Sequence, residues 1–171
     1  MESIMSDQHI REAQEQMISA LKANPAEALG TTTAKAVIGD GLACEVSDGQ
    51  RSTIVDMPPS MGGEASGPTP GFHARAAVAS CVAIGIKLTA TRAGIALEQV
   101  EVDIEMDFDD GASLGLGSNT AAPMQTRLNI ALKSDAPADE LNAMVDRALE
   151  ADPFFLALRD PQAVVTKIEK A

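Results

Sequence analysis

The hydrophobic and polar positions along the chain divide it into helical and extended segments. The longest weakly charged run covers residues 70–90, PGFHARAAVASCVAIGIKLTA, with eleven uncharged residues between Arg75 and Lys87. Its Ala-rich composition without an internal proline favours a helix. A helix that is apolar on nearly every face must be surrounded by other structure. Because the uncharged run is too short for a membrane span, it predicts a buried central helix that ends near Gly94.

The segments before this helix carry a different pattern. Residues 10–29 place apolar side chains at helical spacing, with Asp7 as a plausible N-cap and Asn24-Pro25 as the end. Three short β-branched runs follow in residues 31–57, separated by the turns GDG at 39–41 and SDG at 47–49. They predict a three-stranded antiparallel meander. A Pro/Gly loop over residues 58–71 leads into the central helix.

The segments after the central helix read as two strands, a helix and a closing strand. Residues 100–108 alternate apolar with acidic positions, and residues 124–132 also alternate, with Met124, Thr126, Leu128, Ile130 and Leu132 on one side. Asp135 is a possible cap for a helix that Asp152-Pro153 interrupts, and QAVVTKIEK at 162–170 predicts the last strand. Strands and helices in runs, without regular βαβ alternation, indicate the α+β class. We predict one domain over residues 31–171, preceded by an amino-terminal helical extension over residues 1–30.

Composition narrows the possible partners. The net charge of −12 argues against binding to a phosphate backbone, and a 2% share of aromatic residues argues against base stacking. The chain lacks a phosphate-binding loop, a complete dinucleotide fingerprint and a Cys/His cluster, so we expect no cofactor and no metal. No basic and then apolar leader precedes the first helix, which predicts a cytoplasmic protein with no membrane partner.

The central helix carries Cys81, one of two cysteines in the chain. If the helix starts near Pro70, Cys81 lies about three turns from its amino terminus, beyond the reach of the helix dipole. His73 is about two turns away along the same helix, too far for a direct pair. These residues alone favour a buried structural thiol. Cys44, in the middle strand of the meander, is read as a small strand residue, with a partner thiol for Cys81 as the alternative.

The order of these elements resembles the OsmC/Ohr family, the osmotically inducible and organic hydroperoxide resistance proteins. The resemblance is carried by PTPGFHARAAVASCVAIGIKLTATRAGIALEQVEVDIEMDF, a Pro-led helix with a cysteine about ten residues in, followed by a turn and an alternating strand. It extends from the SDG turn and the MPPSMGG loop through RLNIALKSD and ELNAMVDRALEADPF to VVTKIE, roughly residues 31–170.

The resemblance implies an OsmC-like α+β fold, with antiparallel sheets around a long buried central helix, in an intertwined homodimer. It also implies a thiol peroxidase, in which a thiolate attacks the O–O bond of an organic hydroperoxide and becomes sulfenic acid. A second cysteine then forms a disulfide, which an external thiol reductant restores. Cys81 matches the position of the attacking cysteine.

The sequence departs from the family pattern at the other active-site positions. Asp152-Pro153 stands where the family has a Cys-Pro step with the second cysteine, and Gly71 stands where it has a glutamate. The family's arginine from the early hairpin has no counterpart, so Lys35 or Arg51 would have to replace it. Arg75 is another possible cation, although it lies on a different helical face from Cys81. Arg75 and Asp152 are therefore possible supporting residues.

Several hypotheses follow. The first is hydroperoxide detoxification through Cys81 alone, resolved by an external thiol or by Cys44. The alternative is a catalytically degenerate protein of the same fold that binds a small apolar ligand at the dimer interface. An acidic structural partner protein is the third, and only the net charge speaks for it. A cation near the Cys81 sulfur would favour thiolate chemistry, whereas surrounding carbon alone would favour packing.

Overall fold

The computed structural model describes the backbone of residues 2–170 and the side chains of residues 7–170. The chain forms two compact units, and the boundary between them falls within the central helix, between Ala77 and Val78. The elements are α1 (Glu2–Ala23), β1 (Lys35–Ile38), β2 (Cys44–Ser47), β3 (Ser52–Val55), α2 (Pro70–Ala93), β4 (Gln99–Asp107), α3 (Asp110–Ser113), β5 (Gln125–Lys133), α4 (Ala138–Leu149) and α5 (Pro153–Arg159). Short 3-10 turns cover Pro25–Ala28 and Pro59–Met61.

The first unit contains α1 and the predicted meander. Strands β1, β2 and β3 pair in chain order, all antiparallel, with Val46 opposite both Ala36 and Thr53. Helix α1 ends before Asn24-Pro25, as predicted. It begins at Glu2, so Asp7 lies inside the helix and the prediction that it is the N-cap is wrong. Asp and Ser inside a helix cost only a few tenths of a kcal/mol, about 0.7 at most, so they did not stop it.

The loop between β3 and α2 is held by a buried carboxylate. Asp56 is only 2% exposed, and it accepts hydrogen bonds from the backbone N–H groups of Met57, Glu64 and Ser66 and from the Ser66 hydroxyl, at 2.7–3.2 Å. These donors, the Ser66 N–H above all, lower the pKa of Asp56 to about 2. Gly63 is also required here, because a Cβ at this position would lie 2.0 Å from the Met57 carbonyl oxygen.

The second unit packs one side of α2 against a two-stranded sheet and α4. Strands β4 and β5 are antiparallel, with Val102 opposite Ile130, and their apolar positions face the core as the alternation predicted. The buried core consists of Val78, Val82, Ile86, Ala90, Ile95, Leu97, Met144 and Ala148. Gly94, with φ at +74°, ends α2 where the sequence predicted.

Two predictions about the caps and the closing strand are wrong. Helix α4 begins after Pro137, which occupies the N-cap position instead of Asp135. Residues 161–170 form no strand in the described part of the chain, and Val165 and Ile168 are 93% and 95% exposed. An extended segment becomes a strand only when a neighbouring strand satisfies its backbone groups, and this chain provides no such neighbour for it.

Helix α2 is less enclosed than its composition predicted. Its buried residues Val78, Val82 and Ile86 recur every four positions, whereas Ile84 on another face is 59% exposed. The single chain covers one side of the helix and leaves another side apolar and open. By length and composition alone α2 could also cross a membrane, but the core helix of a soluble protein passes the same test.

Candidate functional site

Cys81 opens into a groove between α2 and the junction of α4 with α5. The groove has a volume of about 240 Å³. From α2 it is lined by Cys81, Ile84, Gly85, Leu88, Thr89 and Arg92, and from the junction by Ala148, Ala151, Asp152 and Pro153. Cys81 itself is half-buried. One end of the groove therefore holds a thiol, its middle is mainly apolar, and Arg92 lies about three helical turns further along.

The junction fixes Asp152 opposite α2. Helix α4 ends at Leu149, and the Asp152 N–H donates to the Leu149 carbonyl oxygen at 3.2 Å. Asp152 then caps α5, because its Oδ1 accepts hydrogen bonds from the N–H groups of Phe154 at 3.0 Å and Phe155 at 2.8 Å. Pro153 occupies the first helical position, where its missing N–H costs nothing. The capped carboxylate is 3% exposed.

The carboxylate of Asp152 approaches the central helix at Gly85. A Cβ on Gly85 would lie 3.5 Å from Asp152 Oδ2, which is ordinary van der Waals contact. Cys81 precedes Gly85 by one helical turn, so both residues lie on the same side of α2. Cys81 and Asp152 line the same groove, and the carboxylate of Asp152 acts on the thiol as a hydrogen-bond acceptor and as a negative charge.

The surroundings of Cys81 disfavour its thiolate. Burial raises the pKa of the Cys81 thiol, and the hydrogen bond to Asp152 and the negative charge of that carboxylate raise it further. The backbone N–H of Phe154 acts in the opposite direction but does not outweigh them. The sequence suggested either a cation or only carbon near the sulfur. The structure places a carboxylate there instead.

The predicted site residues fall into different parts of the chain. The second unit brings Cys81 and Asp152 together. Arg75 lies in the first unit, where its Nη1 approaches Gly71, so its supporting role stays a prediction. Cys44 is a half-buried free thiol on β2, also in the first unit, and its role as a partner for Cys81 is likewise untested.

Sequence reasoning did not identify Gly85 and Arg92 as groove residues. Helical spacing contained this information, because positions four, seven and eleven residues after Cys81 return to the same side of α2. Among the residues that the structure describes, no three His, Cys, Asp or Glu side chains group in a way that could hold a metal ion.

Comparisons with known proteins agree on one family. A family profile described as OsmC-like protein matches residues 63–167. The crystal structure of an OsmC-like protein from Mycoplasma pneumoniae aligns with a TM-score of 0.65 at 15% identity, covering 76% of this chain and 88% of the other. No curated protein sequence matches.

Two further solved structures have names that concern hydroperoxides. The organic hydroperoxide resistance protein OsmC of Legionella pneumophila, also described as a predicted redox protein, is 29% identical, with a TM-score of 0.51 and coverage of 77% and 90%. A putative organic hydroperoxide resistance protein from Vibrio cholerae, with captopril in one of its active sites, is 21% identical, with a TM-score of 0.53 and coverage of 77% and 85%. The second of these supports the fold alone.

Proposed function

Because the chain belongs to the OsmC-like protein family, we propose that it reduces organic hydroperoxides through Cys81 as a single reactive cysteine. The observation that carries the proposal is that Cys81 and Asp152 line the same groove. Asp152-Pro153 is the step at which the resemblance places the second family cysteine. Cys81 therefore faces the position expected for a resolving thiol, which supports its assignment as the attacking cysteine. The hydroperoxide resistance named for the Legionella protein is consistent with this assignment.

The proposed cycle requires one cysteine and an external thiol. The Cys81 thiolate attacks the distal peroxide oxygen, the O–O bond breaks, and the alcohol leaves after taking up a proton while the sulfur becomes sulfenic acid. An external thiol then condenses with the sulfenic acid, which releases water and forms a mixed disulfide. A second external thiol attacks the mixed disulfide, which restores Cys81 and yields the oxidised reductant.

The environment of Cys81 sets the expected pH dependence of this activity. The thiolate is the nucleophile, and burial together with Asp152 raises the pKa of the thiol. The fraction of thiolate is therefore small near neutral pH and grows as the pH rises. We expect the rate of peroxide reduction to increase through the alkaline range, in parallel with thiolate formation.

The test is peroxide consumption by the Cys44→Ser protein, in which Cys81 is the remaining thiol. Cumene hydroperoxide is supplied with dithiothreitol or dihydrolipoamide, and a sulfenic-acid trap is added in a parallel reaction. We expect catalytic loss of peroxide and a trapped adduct on Cys81, both absent in the additional Cys81→Ser variant. If no peroxide disappears above the buffer control and Cys81 remains unmodified up to alkaline pH, the proposed activity is wrong.

A second candidate function is the binding of a small apolar ligand in the groove. The raised pKa of Cys81 favours it, because a protonated thiol packs as a small apolar group. Ile84 and Leu88 supply the apolar lining. This function predicts a rise in melting temperature with ligand that survives Cys81→Ser. Loss of the ligand response in that variant would favour the peroxidase.

We also propose that the protein is a cytoplasmic homodimer, as the family resemblance implies. The open apolar side of α2 and the exposed Val164, Val165 and Ile168 are consistent with coverage by a second copy. A cytoplasmic location would keep Cys81 reduced. Light scattering after size exclusion should give twice the chain mass of 17.8 kDa. A monomer at micromolar concentration would contradict the dimer, and removal of residues 161–171 should weaken it.

A further inference from the structure

The two carboxylate oxygens of Asp152 have different surroundings. Oδ1 accepts the N–H groups of Phe154 and Phe155 and so belongs to the cap of α5. Oδ2 is the oxygen that lies beside α2 at Gly85. Cys81 is one turn from Gly85 on the same side of the helix, and it lines the same groove as Asp152. The cap therefore fixes the carboxylate, and its second oxygen remains on the side of the groove that holds the thiol.

The carboxylate of Asp152 interacts differently with the thiol, the thiolate and the sulfenic acid of Cys81. A neutral thiol has a proton to donate to the carboxylate, whereas a thiolate has none and is repelled by the negative charge. A sulfenic acid again carries an O–H group, which is a stronger donor than S–H. The carboxylate therefore stabilises the resting thiol and the oxidised acid relative to the thiolate between them.

We propose that Asp152 is a positioning residue for Cys81: its carboxylate accepts a hydrogen bond from the S–H group in the resting protein and from the sulfenic O–H group after oxidation. Asp152 thus has a different role from the second cysteine that the family resemblance places at this position. Asp152 directs the sulfur, limits its reactivity at neutral pH and holds the oxidised product until an external thiol arrives. The part that concerns the sulfenic acid rests on the proposed peroxide reduction, whereas the part that concerns the thiol does not.

Other charges near the groove do not replace Asp152 in this role. Arg92, the second charged residue of the lining, lies about three turns from Cys81, and its guanidinium donates to the Thr89 hydroxyl at 3.3 Å. On the α4–α5 side, Glu150 pairs with Arg159 at 2.6 Å. Lys87 on α2 donates to the Leu97 carbonyl oxygen at 3.0 Å.

The test compares Asp152→Asn with Asp152→Ala, both in the Cys44→Ser protein. Asparagine keeps an oxygen that caps α5 but removes the charge, whereas alanine removes both. The rate of alkylation of Cys81 by iodoacetamide is measured from pH 6 to 10, together with the melting temperature. We expect both variants to react faster than the parent at neutral pH, by about tenfold for each unit by which the thiol pKa falls. Only the alanine variant should lose the cap of α5 and show a lower melting temperature.

The pH profile separates positioning from a purely structural role. If Asp152→Asn is folded and its alkylation profile overlays that of the parent, the proposal is overturned. If that variant does not fold, Asp152→Ser, which also caps α5 without a charge, takes its place in the comparison. The proposal further requires that the alkylation midpoint of the parent lie above that of the same protein unfolded in urea, a condition that burial alone would also meet. A midpoint at or below the unfolded value also overturns the proposal.

Peroxide chemistry provides the second readout. Treated with one equivalent of cumene hydroperoxide, the parent should yield a sulfenic acid that persists longer than that of Asp152→Asn, as measured by delayed trapping. If neither protein forms a sulfenic acid, the proposed peroxidase fails, whereas the alkylation profiles still decide the role of Asp152. Equal lifetimes in the two proteins would contradict the sulfenic-acid part of the proposal.

Discussion

A cysteine introduced at position 152 should form a disulfide with Cys81. The variant is Asp152→Cys in the Cys44→Ser background, so that two thiols remain. Cys81 and Asp152 line the same groove between α2 and the α4–α5 junction, and Asp152 Oδ2 lies 3.5 Å from where a Cβ on Gly85 would be, one helical turn from Cys81. Disulfides need Cβ atoms about 3.5–4.5 Å apart, and we expect the two positions to reach this separation because they face each other across one groove. The change also replaces a carboxylate that raises the pKa of Cys81 with a second nucleophile.

The stabilisation expected from this disulfide follows from the length of the loop that it would close. Residues 81–152 form a loop of about 70 residues, for which the chain-entropy relation gives about 4 kcal/mol of stabilisation. Loss of the Asp152 cap of α5 costs about 1 kcal/mol. We therefore expect the reduced variant to be about 1 kcal/mol less stable than its parent, and the oxidised variant to be about 3 kcal/mol more stable.

Thiol titration and urea unfolding test both expectations. Mild oxidation with diamide or cumene hydroperoxide should remove both free thiols in the monomeric band of a non-reducing gel, and dithiothreitol should restore them. The matched control carries Cys81→Ser as well and should form no such link. Two free thiols after oxidation of the folded variant would refute the placement of Cys81 opposite residue 152. A disulfide without any gain in stability would refute the entropy estimate alone.

Three further predictions concern the rest of the molecule. Because the pKa of Cys81 is raised in the folded protein, its contribution to stability is complete below the pKa of the unfolded chain and is lost as the pH rises through the folded value. In urea unfolding from pH 7 to 10, the free energy of unfolding should therefore fall more steeply for the parent than for Cys81→Ser. An equal pH dependence of the two proteins would contradict this. Met144→Ala, at a fully buried site, should cost about 2–5 kcal/mol in urea unfolding, and a cost no greater than that of Ile84→Ala, at an exposed site, would argue against the assigned core. Gly63→Ala should cost about 1–3 kcal/mol or more because its Cβ meets the Met57 carbonyl, whereas Gly39→Ala, in open space, should change little; similar melting temperatures would refute the loop geometry.

The sequence predicted the elements that depend on local patterns. The alternation in residues 100–108 and 124–132, the GDG and SDG turns, and the glycine that ends α2 each involve neighbours within a few residues. Their physical causes are side-chain period and backbone conformation, which a single sequence displays directly. The two helix starts were wrong because several residues in each segment tolerate the N-cap or first-turn positions at similar cost.

Features that depend on contacts between distant residues were harder to predict from the sequence. The prediction of a closing strand was wrong because residues 161–170 have a strand-like composition but no strand beside them in the described chain. Enclosure of α2 was overestimated because composition reports how apolar a helix is, and not how much of its surface one chain covers. Both errors concern apolar surface that remains open in one copy, which is the surface that a homodimer would cover.

Residue 152 bears on both halves of the proposed thiol cycle. Cys81 could be located from the order of elements, but its chemistry depends on residue 152, about 70 positions later, which reaches it only through the fold. A carboxylate at this position is a better helix cap than a thiol, and here it orders the start of α5. The same carboxylate raises the pKa of Cys81 and cannot form a disulfide with it. In the proposed peroxide reduction, Asp152 therefore links the stability of the α4–α5 junction to the reactivity of the thiol, and capping and reactivity should change together when this residue is replaced.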